Sequence, residues 1–134
     1  MKEITKKWLK FAKGDLEGAE ILLDSAKGDY LYLLAIYHCH QAIEKILKAV
    51  IVEKGKEIKK IHDLIVLLGD SELDLPREFQ EYIDKLNPYY QPTRYPDIPY
   101  KGPTLKYNQE VAQGHLEKTK EIFSWIEKKL MSKK

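Results

Sequence analysis

Cysteine is almost missing from this chain. Its 134 residues include one, Cys39, which excludes an internal disulfide framework and a cysteine-based zinc site. No run of about 18 uncharged apolar residues occurs, so no membrane-spanning helix is expected. No apolar core of a signal peptide stands near Met1, and the expectation is a cytoplasmic protein. Arginine is scarce: Arg77 and Arg94 stand against a combined Lys and Arg count of 23. The net charge of +2 is too small to imply nucleic-acid binding from bulk electrostatics. Proline is nearly absent outside one stretch, since five of the six lie between Pro88 and Pro103. No segment alternates as a strand would.

What remains is helical. From Ile4 to Ala26, Trp8, Phe11, Ala12, Asp15, Leu16, Ala19, Leu22 and Leu23 recur at three- and four-residue spacing. Gly14 and Gly18 interrupt this helix and suggest close approach by a neighbour. Gly28 is expected to cap its end and Asp29 to cap the next helix. That second helix spans Tyr30 to Lys54. Ala35, Ile36, Cys39, Ile43, Ile46, Leu47 and Val50 form its core face, with Tyr37, Glu44 and Lys48 opposite. Tyr30 to Tyr37 is apolar on nearly every side, which calls for a further cover: the proline loop or a second subunit. A short helix from Leu64 to Leu68 ends at Gly69, and a fourth begins at Pro76 and stops at Pro88. The last runs from Thr104 to about Met131, with Val111, His115 or Leu116, Thr119, Ile122, Ile126 and Leu130 in its buried stripe, Phe123 and Trp125 flanking it, and His115 by default a core-edge histidine. The expectation is a single all-α domain over 1–134. It is an antiparallel four-helix up-and-down bundle with an additional short helix and a long proline-rich loop.

That loop, Tyr89 to Tyr100, carries four tyrosines and Arg94 on a backbone that its prolines should hold extended and non-helical. A long ordered loop with an aromatic load is a functional candidate.

Three strings together resemble the HEPN domain. They are His40-Gln41-Ala42-Ile43-Glu44-Lys45-Ile46-Leu47-Lys48-Ala49, His62-Asp63-Leu64, and Tyr90-x-x-x-Arg94-Tyr95-Pro96-Asp97. The pattern Trp8, Ala12, Asp15-Leu16, Ala19 also fits, so the resemblance covers nearly the whole chain. It implies a small helical bundle that forms a homodimer in prokaryotes. It also implies pairing with a minimal nucleotidyltransferase in a toxin–antitoxin-type pair, and either nucleotide binding or metal-independent RNA cleavage. HEPN ribonucleases place a histidine after four to six residues beyond an arginine. From Arg94 those positions hold Pro99, Tyr100 and Lys101; from Arg77 they hold Tyr82, Ile83 and Asp84. The standard catalytic pair is absent, and the enzymatic status stays open.

The site candidates follow from residue chemistry. Arg94 offers a planar fork of donors for phosphate, and Tyr90 and Tyr95 beside it could stack or hydrogen-bond. The competing role for Arg94 is to pin the loop through Asp97 or Asp63. His62 is the type of side chain suited to acid–base work near neutrality, unless it merely opens a helix. His38, Gln41 and Lys45 lie along one polar edge of the second helix, facing either a ligand or a neighbouring helix. No metal is expected: His38 and His40 point about 200° apart on a helix, and His40 with Glu44 lacks a third ligand. No cofactor is expected. Two readings stand. One is a binding module that engages a nucleotide, RNA phosphate or its partner through Tyr90, Arg94, Tyr95, Asp97, His38, Gln41 and Lys45. The other is a ribonuclease with Arg94 as stabiliser and His62 as a non-standard base. A loop tyrosine, Tyr90 or Tyr95, is also a candidate for covalent modification by the partner enzyme.

Overall fold

The computed structural model describes residues 1–25, 27–97 and 107–132. Six α-helices and one 3₁₀ turn account for it: α1 Glu3–Ser25, α2 Asp29–Glu53, α3 Leu64–Ser71, α4 Arg77–Leu86, the turn Asn87–Tyr89, α5 Tyr90–Arg94 and α6 Gln109–Met131. Among the described residues there is no strand, as the absence of alternation predicts.

Helix α2 is the axis of the molecule. The other long helices, α1 and α6, pack against it, and so do α3 and α5. This explains why every residue from Ala35 to Ile51 is buried or half-buried. Ile36, Ile43, Ile46, Leu47 and Ile51 form the core with Ala12 and Ala19 of α1, Leu64 and Leu67 of α3, Ile83 and Leu86 of α4, and Ile122 and Ile126 of α6. Glu44 and Lys48, expected on the outer face, are buried too. Helical periodicity is read against one core; α2 has neighbours on more than one side.

The expected boundaries shift where local chemistry decides. Asn108 caps α6 by accepting from the Val111 backbone N–H at 2.9 Å, so that helix starts at Gln109; Thr104 lies outside the described residues. Asp29 is the first residue of α2, preceded by Gly28 in extended geometry, and neither takes the capping role expected of it. Gly55 closes α2 with φ of 77°, a left-handed conformation that favours glycine. Helix α3 runs through Gly69 to Ser71, because the Ser71 hydroxyl bonds back to the Leu68 carbonyl at 2.6 Å and Glu72 takes the left-handed turn. Phe11, expected in the buried stripe of α1, is 64% exposed.

The largest departure concerns the proline stretch. Helical backbone runs from Asn87 to Arg94 through both Pro88 and Pro92. Pro88 stands at the start of its 3₁₀ turn, where its missing N–H has no acceptor within that turn, and Pro92 is the third residue of α5, still within its first turn. Tyr95, ahead of Pro96, takes the extended geometry. The expectations for residues 98–103 lie outside the described residues.

Candidate functional site

Asp63 sets up the site. Its carboxylate accepts from the Ile65 and Val66 backbone N–H groups and caps α3. The preceding residue, His62, is thereby held just outside the helix and beside α2. Asn87 locks the same corner from the other side. Its Oδ1 accepts from the Leu64 N–H at 2.8 Å, and its Nδ2 donates to Asp63 at 3.2 Å. Helix α5 then starts at Tyr90, just beyond Asn87, and projects Arg94 over α2. Thr93 ties this turn down through its hydroxyl to the Tyr89 carbonyl at 2.5 Å.

Glu44 is the centre on which these elements converge. His62 Nδ1 lies 3.1 Å from its Oε1, Lys48 Nζ 3.0 Å from its Oε2, and Arg94 Nη2 3.4 Å from its Oε1. Arg94 also donates through Nη2 to Gln41 Oε1 and through Nη1 to the Tyr90 carbonyl at 3.1 Å. Its guanidinium stands 5.1 Å from the Tyr37 ring centroid, and Gln41 donates to the Tyr37 hydroxyl at 3.2 Å. The partners of Arg94 are therefore Glu44 and Gln41 of α2, not Asp97 or Asp63. The Arg94 side chain is only 10% exposed, whereas that of His62 is 41% exposed.

His40 forms the floor. It is fully buried, with Nδ1 3.8 Å from Glu44 and its ring 6.0 Å from that of Tyr90. Burial, reinforced by the positive charges of Arg94 and His62, pushes its pKa down to about 3. It is a neutral imidazole at any ordinary pH. Tyr90 spans the gap to His62, its ring centroid 6.1 Å away.

A second carboxylate repeats the pattern further along the same edge of α2. Asp15 of α1 receives His38 Nδ1 at 2.8 Å and Lys45 Nζ at 2.7 Å. Burial alone would raise the Asp15 pKa, but the hydrogen bonds from His38 and Lys45 outweigh it and hold the carboxyl below its ordinary value. The edge of His38, Gln41 and Lys45 divides between two partners. His38 and Lys45 face α1, while Gln41 faces Arg94. Counted together, three cations (Lys45, Lys48 and Arg94) face two carboxylates, with two histidines able to add charge.

Tyr95 caps the end of α5 and is 40% exposed, and Asp97 lies on the surface beyond it. Neither joins the Glu44 cluster. The residues that sequence reasoning passed over are Glu44, Lys48 and Asp15. The signals were present: Glu44 and Lys48 continue the polar edge at helical spacing, and Asp15 is a carboxylate in an otherwise apolar stripe. Cys39 is buried and its thiol is pushed up to about 12 by desolvation, so it is chemically inert. Among the described residues no group of three or more His, Cys, Asp or Glu is placed to hold a metal ion. None of the described helices is long and apolar enough to cross a membrane.

The HEPN domain family matches residues 5–129, and the chain belongs to that family. Two solved structures are similar over nearly the full chain. TT1696 from Thermus thermophilus is 30% identical, with a TM-score of 0.76, covering 93% of this chain and 97% of that one. ST0689, an archaeal HEPN homologue, is 28% identical with a TM-score of 0.71, covering 96% and 98%. No curated protein matches.

Proposed function

We propose that this protein is the HEPN partner of a minimal nucleotidyltransferase in a prokaryotic toxin–antitoxin-type pair, that it acts as a homodimer, and that its Arg94 site binds the phosphate of a nucleotide or RNA. The pairing and the dimer are what family membership suggests. The phosphate reading is supported by one observation on this chain: Arg94, Lys48 and His62 converge on one buried carboxylate, Glu44. Ionisable groups gathered in this way are costly to bury and mark functional sites. Cations exceed carboxylates along this side of α2, and Tyr37 and Tyr90 supply aromatic faces next to it.

A second reading, metal-independent RNA cleavage, draws on the His62 geometry. With Nδ1 turned to Glu44, the Nε2 of His62 is the nitrogen left to act as base. It would take the 2′-hydroxyl proton as the 2′-oxygen bonds to phosphorus. The 5′-oxygen would leave with a proton from solvent, giving a 2′,3′-cyclic phosphate and a 5′-hydroxyl. Arg94 would stabilise the charge developing on the phosphoryl oxygens.

One experiment addresses both. The purified protein and its Arg94→Ala variant are incubated with a mixed RNA pool, with and without EDTA, and binding and cleavage are followed together. Retention of RNA that is lost in Arg94→Ala, without cleavage, is the expected result. Cleavage that survives EDTA and vanishes in Arg94→Ala would select the ribonuclease reading. Neither binding nor cleavage would defeat both.

A further inference from the structure

Helix α1 packs along α2 beside the Glu44 cluster, and one edge of it is unlike an ordinary solvent face. Ile4, Trp8 and Phe11 follow one another at three- and four-residue spacing, so they share that edge. With Lys7 they enclose a shallow, largely apolar hollow of about 260 Å³. Phe11 is 64% and Ile4 47% exposed, so the edge is open rather than part of the core. Each aromatic ring carries a cation from α2. Lys45 Nζ stands 5.8 Å from the Phe11 centroid, and Lys48 Nζ 5.6 Å from that of Trp8. Both lysines are fixed from behind by carboxylates: Asp15 at 2.7 Å from Lys45 and Glu44 at 3.0 Å from Lys48. Through Lys48 and Glu44 the hollow connects directly to Arg94.

We propose that the hollow of Ile4, Trp8 and Phe11 is a base-stacking subsite of the Arg94 site, and that its occupant is a nucleobase of the same nucleotide or single-stranded RNA. This rests on the phosphate reading above. Single-stranded nucleic acid is held by aromatic faces, which accept any base, set beside cations that follow the backbone; the α1 edge supplies the faces, and the exposed Lys7 and part-exposed Lys45 supply the cations, while the buried Lys48 links the hollow to Glu44. The charge pattern distinguishes this occupant from a second copy of the chain. The cores of protein–protein interfaces are depleted of lysine, whereas here Lys7 lines the apolar hollow and Lys45 and Lys48 lie against its two aromatics.

The test uses the full chain and its two tryptophans, Trp8 and Trp125. A Trp125→Phe variant leaves Trp8 as the sole tryptophan emitter. It is titrated with a short single-stranded oligoadenylate and with an abasic strand of the same length and phosphate count. The expected result is saturable quenching of Trp8 by the oligoadenylate and none by the abasic strand. In the unmodified chain the same quenching disappears in Trp8→Phe. Phe11→Ala, at an exposed position, weakens oligoadenylate binding on the order of ten- to a hundredfold and leaves abasic binding unchanged. Phe11→Tyr restores affinity. If both strands bind equally and Trp8 emission does not change, the stacking inference fails while phosphate binding stands. If neither strand binds, the phosphate reading fails and the subsite with it. If Phe11→Ala turns a dimer into a monomer by light scattering without altering oligoadenylate affinity, the surface belongs to a second copy and the inference is overturned.

Discussion

Glu44 is a carboxylate with more cationic neighbours than it needs. Lys48 alone would neutralise it, yet Arg94 and His62 also reach it. The consequence for stability is asymmetric. Glu44→Gln leaves two nearly buried cations, Lys48 and Arg94, without their counter-ion, and should cost about 3–5 kcal/mol. Arg94→Ala leaves Glu44 still paired with Lys48 and should cost less, about 1–3 kcal/mol for the lost hydrogen bonds. Urea unfolding of the two variants measures the order directly. Equal losses would mean that Arg94 holds the cluster as firmly as Glu44 does, against the asymmetry expected. The position of Glu44 on α2 was readable at once, but its burial was not. Periodicity placed it opposite Ile43 and Ile46, and only the arrival of α5 and His62 on that side covers it.

At the scale of the element, the site depends on a small joint between α3 and the 3₁₀ turn. Asp63 caps α3, and Asn87 bridges the Leu64 N–H and the Asp63 carboxylate. Removing the cap with Asp63→Ala should destabilise the chain by about 1 kcal/mol and loosen His62 together with the start of α3. Amide exchange at Ile65 and Val66, whose N–H groups donate to Asp63, should accelerate while exchange in the centre of α2 stays slow. Uniform acceleration through α2 would show that the joint carries global rather than local stability. The string His62-Asp63-Leu64 announced a helix start in the sequence. The partner across the joint, Asn87, belongs to a stretch whose prolines argued for extended chain. Pro88 and Pro92 escape that rule because each falls within the first turn of a short element, whose own hydrogen-bond ladder does not use those N–H groups.

The whole molecule should respond to acid through two histidines held largely out of water. His40 is pushed down to about 3 by burial and by the charges of Arg94 and His62, and His115 to about 4 by burial with a smaller contribution from Lys85. His115 lies in a separate network, where its Nδ1 is 2.6 Å from the Tyr82 hydroxyl and its ring meets that of Tyr89 at 4.8 Å. Unfolding returns both imidazoles to their ordinary value of 6.5. Below that pH the unfolded chain binds protons that the folded chain refuses. Stability is therefore full above pH 6.5 and falls as the pH drops toward 4 and then 3. Each group contributes about 1.4 kcal/mol per pH unit while only the unfolded form is protonated. Asp15 acts in the same direction at lower pH, since its folded pKa lies below the ordinary 3.8. Denaturant midpoints between about pH 7 and about pH 4.5 should show this slope, and His115→Gln should flatten it. An unchanged slope in that variant would place the acid sensitivity elsewhere.

The sequence by itself determined the long helices and the family. Periodicity and caps are local properties, set by residues within one or two turns of each other. The strings around His40–Ala49, His62–Leu64 and Tyr90–Asp97 lie along the chain where they can be read. Only the tertiary structure decided which side chains share a site. His62 and Arg94 stand 18 and 50 residues along the chain from Glu44, and nothing in their spacing requires that they meet it. Their meeting follows from packing. Helix α2 buries its apolar face against α1, α3 and α6, and the joint at Asn87 then leaves α5 with one place to lie: across the polar edge of α2, with Arg94 against the carboxylate.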